Sequence, residues 1–142
     1  GSGKTTISNL ILRLIEPSSG TILYHGKNIF YFDKFDSFKK KNADNIINFN
    51  PDLGDKIAFN ELAFPGLTNK DSFTFATAEN KKGLKAISRQ DYDLVYYEKK
   101  GFIYYDGNGS QKNWGKKEDG GIFAKVDKGL ELIIDDFIFY SL

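Results

Sequence analysis

Between Lys4 and Ile15 the apolar residues Ile7, Leu10, Ile11 and Leu14 recur at i, i+3, i+4 and i+7. That spacing draws one stripe along an amphipathic helix. Pro17 ends the pattern, and Ser18-Ser19-Gly20 supplies the turn. The period then shortens. Residues 21–24 (Thr-Ile-Leu-Tyr) predict a strand, 25–28 a tight turn and 29–32 a second strand. Residues 33–42 are polar and end in Lys39-Lys40-Lys41, the composition of a solvated linker.

Downstream the texture changes to short apolar runs separated by Gly, Asp and Asn: 45–49, 56–59, 72–76, 94–97, 102–105, 122–126, 130–134 and 137–140. Runs at this spacing predict an antiparallel sandwich or roll. The strongest hairpin signal is 94–97 and 102–105, joined by Glu98-Lys99-Lys100-Gly101. Residues 76–88 fit a loop or a short helix equally well. The expected class is therefore α+β and mainly β: a P-loop helix and a short hairpin, followed by a small antiparallel sandwich or roll.

With 142 residues, the chain has room for one ordinary domain, or a small domain with an appendage. Aromatic residues make up 15%, which favours strands. Charge divides the chain. Residues 1–41 hold seven Lys/Arg against three Asp/Glu (+4), and residues 42–142 hold thirteen against sixteen (−3). The linker and the change of sign together predict two units, 1–41 and 42–142, with a seam near Lys41/Asn42. Cysteine is absent, which excludes disulfides, thiolate metal sites and a cysteine nucleophile. No run of 18 apolar residues occurs, so no helix is expected to span a membrane directly.

Gly1-Ser2-Gly3-Lys4-Thr5-Thr6 reads as the second half of the phosphate-binding pattern G-x-x-x-x-G-K-[ST]. Its leading Gly and feeding strand are expected upstream of residue 1, consistent with no Met at that position. A Gly-rich loop opening a helix suits phosphate, because the first helical N–H groups lack partners and the dipole is positive there. Residues 1–28, through the Glu16-Pro17-Ser18-Ser19-Gly20 turn to Gly26-Lys27, closely resemble the start of an ABC-transporter ATPase of the oligopeptide/dipeptide importer type. That resemblance implies ATP and Mg²⁺ as ligands and membrane permease subunits as partners. Lys4 would meet the β- and γ-phosphates, Thr5 the Mg²⁺, and Thr6 with the Gly1 and Gly3 amides the inner phosphates. It ends near residue 41. No glutamine loop, L-S-G-G-Q signature or Asp-Glu strand end follows, and Asp135-Asp136 has no histidine after it. Phosphoryl transfer depends on those positioning groups, so ATP binding without hydrolysis by this chain alone is the expectation.

Residues 42–142 resemble a different family, the C-terminal module of repeats-in-toxin secreted proteins of the serralysin type. The carrying residues are 43–49 (Ala-Asp-Asn-Ile-Ile-Asn-Phe), Asp55-Lys56-Ile57, 94–97, 101–109 and Asp136-Phe137-Ile138. The resemblance implies a secreted β domain without enzymatic activity, associated with Ca²⁺. The glycine-rich nonapeptide repeats of that family do not occur, and Asn48 stands where the family commonly has Asp. Asp44, Asp55, Asp106 and Asn108 are the expected Ca²⁺ donors, although the same residue types also form plain turns by their own backbone chemistry. Asp106-x-Asn108-x-Ser110 opens like an EF-hand loop, but Gln111 and Lys117 occupy its sixth and twelfth positions and exclude one.

His25, the one histidine, reads as a turn residue, and Trp114 as an anchor under a loop or a stacking surface for a sugar or base. The Tyr/Phe hairpin with Lys99 and Lys100 imitates a nucleic-acid platform. The acidic balance of that half instead predicts core packing and no nucleic-acid partner. Two functions are thus expected: an ATP-binding importer segment at the cytoplasmic face of a membrane, or an extracellular β module.

Overall fold

Residues 19–24, 27–32, 38–60, 64, 67, 72–111, 113–116 and 119–140 are described by the computed structural model. The P-loop segment 1–6, the helical stripe at Ile7–Leu14 and His25 lie outside them.

Nine strands and one α-helix occur among the described residues, so the class is α+β and mainly β. The strands are β1 (Ser19–Tyr24), β2 (Lys27–Phe32), β3 (Asp44–Asn45), β4 (Lys56–Asn60), β5 (Phe75–Ala78), β6 (Leu94–Tyr97), β7 (Phe102–Tyr105), β8 (Gly121–Lys125) and β9 (Phe137–Tyr140). They form a four-stranded sheet ordered β1-β2-β4-β9 and a five-stranded sheet ordered β3-β8-β7-β6-β5.

The hairpin predicted around Gly101 is present: β6 and β7 pair antiparallel from Leu94↔Tyr105 to Tyr97↔Phe102. Gly101 has φ +73°, and a Cβ there would lie 2.1 Å from the Val126 carbonyl oxygen. Only a residue without a side chain closes this turn. β1–β2 and β7–β8 are antiparallel as well. Four other pairings, β2–β4, β3–β8, β4–β9 and β5–β6, are parallel, so the purely antiparallel expectation covers part of the sheets only. The reason is connectivity. Parallel neighbours need a long crossover, and residues 79–93 provide one between β5 and β6. That crossover carries the helix α1 (Lys81–Ile87), capped by Asn80, whose Oδ1 accepts the Gly83 N–H at 2.8 Å. The helix packs against β5 and β6.

Two predicted strands fall away. In 45–49 pairing stops after Asn45, because Asn48 takes φ +61° and turns the chain while Ile46 and Phe49 go into the core. In 130–134 Leu132 is buried but Ile133 and Ile134 are exposed, and a 3-10 turn, Ile134–Asp136, follows. Asp136 closes that turn by accepting the Ile133 N–H at 2.8 Å.

One core joins both sheets. Ile57 and Phe59 of β4 and Phe137 of β9 cluster with Leu94 and Tyr96 of β6, Ile103 and Tyr105 of β7, and Phe123 of β8. Phe64 sits at its centre, fully buried, with ring centroids of Phe59, Phe123, Tyr105 and Phe38 at 5.0, 5.1, 5.3 and 5.7 Å. All four contacts are edge-to-face, the arrangement that ring quadrupoles favour. The seam expected at Lys41/Asn42 coincides with a 3-10 turn, Lys40–Asn42. Sheet pairing crosses it, since β2 lies beside β4 from Ile29↔Lys56 to Phe32↔Phe59. Among the described residues no helix is long and apolar enough to cross a membrane.

Candidate functional site

The loop between β7 and β8, residues 106–120, brings together the largest share of chemistry-bearing side chains. β7 alternates strictly: Ile103 and Tyr105 are buried towards the core, while Phe102 and Tyr104 are half-buried on the outer face. The loop folds back on itself because the Gly107 N–H donates to the Trp114 carbonyl at 3.0 Å and the Gly120 N–H to the Lys116 carbonyl at 3.0 Å. A Cβ on Gly120 would fall 2.2 Å from the Trp114 oxygen, so glycine is what allows the two ends of the loop to touch. This closure seats the Trp114 ring on Tyr104, with centroids 4.6 Å apart and planes 21° from parallel.

On the inner side of the same loop lies Asp106, 5% exposed. Its Oδ1 accepts the Asn108 N–H at 3.2 Å. Its Oδ2 is buried with no hydrogen-bond partner among the described residues. Burial raises this carboxyl to about 6; the Asn108 N–H opposes it, the charges of Asp91 and Asp93 add to it, and the Gly109 N–H opposes it as well. Tyr105 beside it is raised as well, by burial first and then by Asp93, Asp106 and Asp119.

The remaining expected donors are elsewhere. Asp55 is buried, and both of its oxygens are engaged: Oδ1 accepts the Asn28 N–H at 3.1 Å and Oδ2 the Asn50 N–H at 2.9 Å. Two N–H dipoles aimed at a carboxylate occupy the directions a cation would need, so Asp55 is a clamp between β2 and the turn before β4. Asp44 lies on β3, at the edge of the five-stranded sheet. The four residues therefore stand at three places, and only Asp106 and Asn108 come together. Among the described residues no three His, Cys, Asp or Glu side chains are grouped to hold a metal ion. At the Asp106–Asn108 pair, the buried Asp106 Oδ2 lacks a hydrogen-bond partner among the described residues, which is compatible with a proton or a cation there.

Sequence reasoning missed three participants. Lys40 read as linker, yet its Nζ sits 5.2 Å from the Phe102 ring centroid. Lys125 joins it at 5.8 Å. Asp93 was read as nothing in particular, yet its Oδ2 accepts both the Thr74 N–H, at 2.9 Å, and the Thr74 hydroxyl, at 3.3 Å, fixing β5 beside β6. The Asp106-x-Asn108 spacing and the lone Trp114 were the signals in the sequence that pointed to this loop.

Compared with family models, curated proteins and solved structures, the chain matches none.

Proposed function

We propose that the chain acts as a non-enzymatic, calcium-associated β module of the repeats-in-toxin C-terminal kind, working outside the cell. The observation that supports this reading is Asp106, a buried carboxylate with one oxygen lacking a hydrogen-bond partner and two further carboxylates, Asp91 and Asp93, near enough to raise its pKa. Such a charge is costly unless a proton or a cation compensates it. Calcium, once bound, would supply that charge. Asp106 and Asn108 are the side chains to hold it.

The test is a melting curve of the full chain at pH 7, in EDTA and in millimolar CaCl₂. A ligand at a hundredfold excess over its Kd adds about 2.7 kcal/mol, so the wild-type midpoint is expected to rise by several degrees. The Asp106→Asn variant is expected to show no calcium response. An unchanged wild-type midpoint removes calcium from the proposal.

A second reading rests on Gly1–Thr6: ATP binding by an importer-type segment, alongside permease subunits at the cytoplasmic membrane face. Isothermal calorimetry with Mg-ATP separates it from the first, because Lys4→Ala is expected to abolish nucleotide binding and leave the calcium response intact. Equal affinity in both proteins ends the P-loop reading.

A further inference from the structure

The outer face of β7 and β8 carries a row of rings beside two ammonium groups. Tyr97, Phe102, Tyr104 and Trp114 follow one another at centroid spacings of 6.5, 6.5 and 4.6 Å. α1 packs at the β5–β6 end of this sheet, where Val95 and Tyr97 are buried outside the central cluster. The β7–β8 end stays half-exposed. There a shallow hollow of about 350 Å³ is lined by Phe38, Lys40, Tyr104, Asn113, Trp114 and the backbone of Gly121. Its floor is close-packed main chain: Gly121 adopts φ +137°, and a Cβ on it would stand 2.7 Å from the Phe38 carbonyl oxygen.

Lys40 and Lys125 both direct Nζ over the single ring of Phe102, and neither has a carboxylate within ion-pair distance among the described residues. In the sheet register Lys125 lies between Phe102 and Asn45, neither of them acidic. Of the described acids of this loop, Asp106 is buried on the inner side and Asp119 acts on Tyr105, whose side chain points to the opposite face of β7 from Tyr104. The two ammonium groups, 5.2 and 5.8 Å from the centre of one ring, make this edge of the hollow positive and attractive to an anion. Beside that anion position, the stacked Tyr104–Trp114 pair offers an apolar surface flanked by the Asn113 amide and exposed main chain. A pyranose ring, with C–H groups on its face and hydroxyls on its rim, matches that mixture. A nucleotide could also stack its base on an open aromatic surface, and AMP as a control separates the two.

We infer that this hollow binds an acidic saccharide unit, its ring on Trp114 and its carboxylate or sulfate towards Lys40, with Lys125 adding to the positive charge beside it. The inference does not depend on calcium at Asp106 or on nucleotide at the P-loop.

Trp114 is the single tryptophan of the chain, so emission excited at the red edge, where tyrosine absorbs little, reports on this site. Oligogalacturonate and heparin oligosaccharides are titrated into the full chain, with maltooligosaccharide as the neutral control and AMP as the anionic aromatic one. At least one acidic saccharide is expected to change the emission saturably at millimolar concentration or below, and more weakly as salt rises. The Lys40→Ala/Lys125→Ala double variant is expected to weaken that binding by about tenfold, the equivalent of about 1.4 kcal/mol, with its unliganded emission unchanged. Absence of any acidic-saccharide response overturns the inference. So does equal affinity in the double variant, an equal response to the neutral control, or a response to AMP alone.

Discussion

Phe64→Ala is expected to destabilise the protein by about 3–5 kcal/mol, the range for truncating a fully buried phenylalanine. Four aromatic rings surround this side chain, drawn from β4, β7, β8 and the segment before the 3-10 turn at Lys40. Its removal leaves a void that rings from two different sheets would have to close, and edge-to-face packing between rigid elements relaxes poorly. The lost ring contacts add to the lost burial. Urea unfolding followed by far-UV circular dichroism measures the effect as a lower midpoint at unchanged slope. A loss below about 1 kcal/mol, the ordinary size of a peripheral substitution, would mean that the two sheets do not share this core.

The elements that could be read from the chain are those set by local chemistry. Alternation and a Gly101 turn suffice for β6–β7, and Pro17 with Gly26 brackets β1. Strand direction was not legible, because an apolar run such as 56–59 carries the same pattern whether its neighbour is parallel or antiparallel. A long connection permits a parallel pair without dictating one: residues 79–93 join the parallel β5 and β6, whereas 106–120, equally long, join the antiparallel β7 and β8. The 130–134 run misled for a different reason. Its isoleucines lie at the surface, exposed by 55% and 44%, and the burial needed to hold a strand is absent.

At the site, chemistry within a few residues was visible and chemistry across the sheet was not. Asp106 and Asn108 are two apart and share a turn, so spacing found them. Trp114 reaches Tyr104 only because Gly107 and Gly120 let the loop close, and Lys40 and Lys125 each come to the ring of Phe102 from separate elements. None of those meetings leaves a periodic trace. Asp55 was found as a carboxylate with the right neighbours, but its role changed: two backbone N–H groups, from Asn28 and Asn50, make it a structural acceptor.

In metal-free buffer the stability of this protein should fall as pH rises from about 4 to about 6, and Asp106 is the cause. Its carboxyl is held at about 6 in the folded state, against about 4 for an unfolded aspartate. The folded state therefore binds the proton more tightly. Stability from this group is fully present below pH about 4, declines through the folded value, and is gone above it. Two pH units of difference correspond to about 3 kcal/mol. Asp106→Asn keeps the side-chain oxygen that accepts the Asn108 N–H and removes the buried charge. The variant should thus be more stable than wild type at pH 7 by up to about that amount, and should lack this fall between pH 4 and 6. Parallel urea titrations of both proteins at pH 4, 5, 6 and 7, with EDTA present, measure the difference. Coincident pH profiles would show that the Oδ2 charge is already compensated in the folded protein, and the reason for a cation at that loop would go with it.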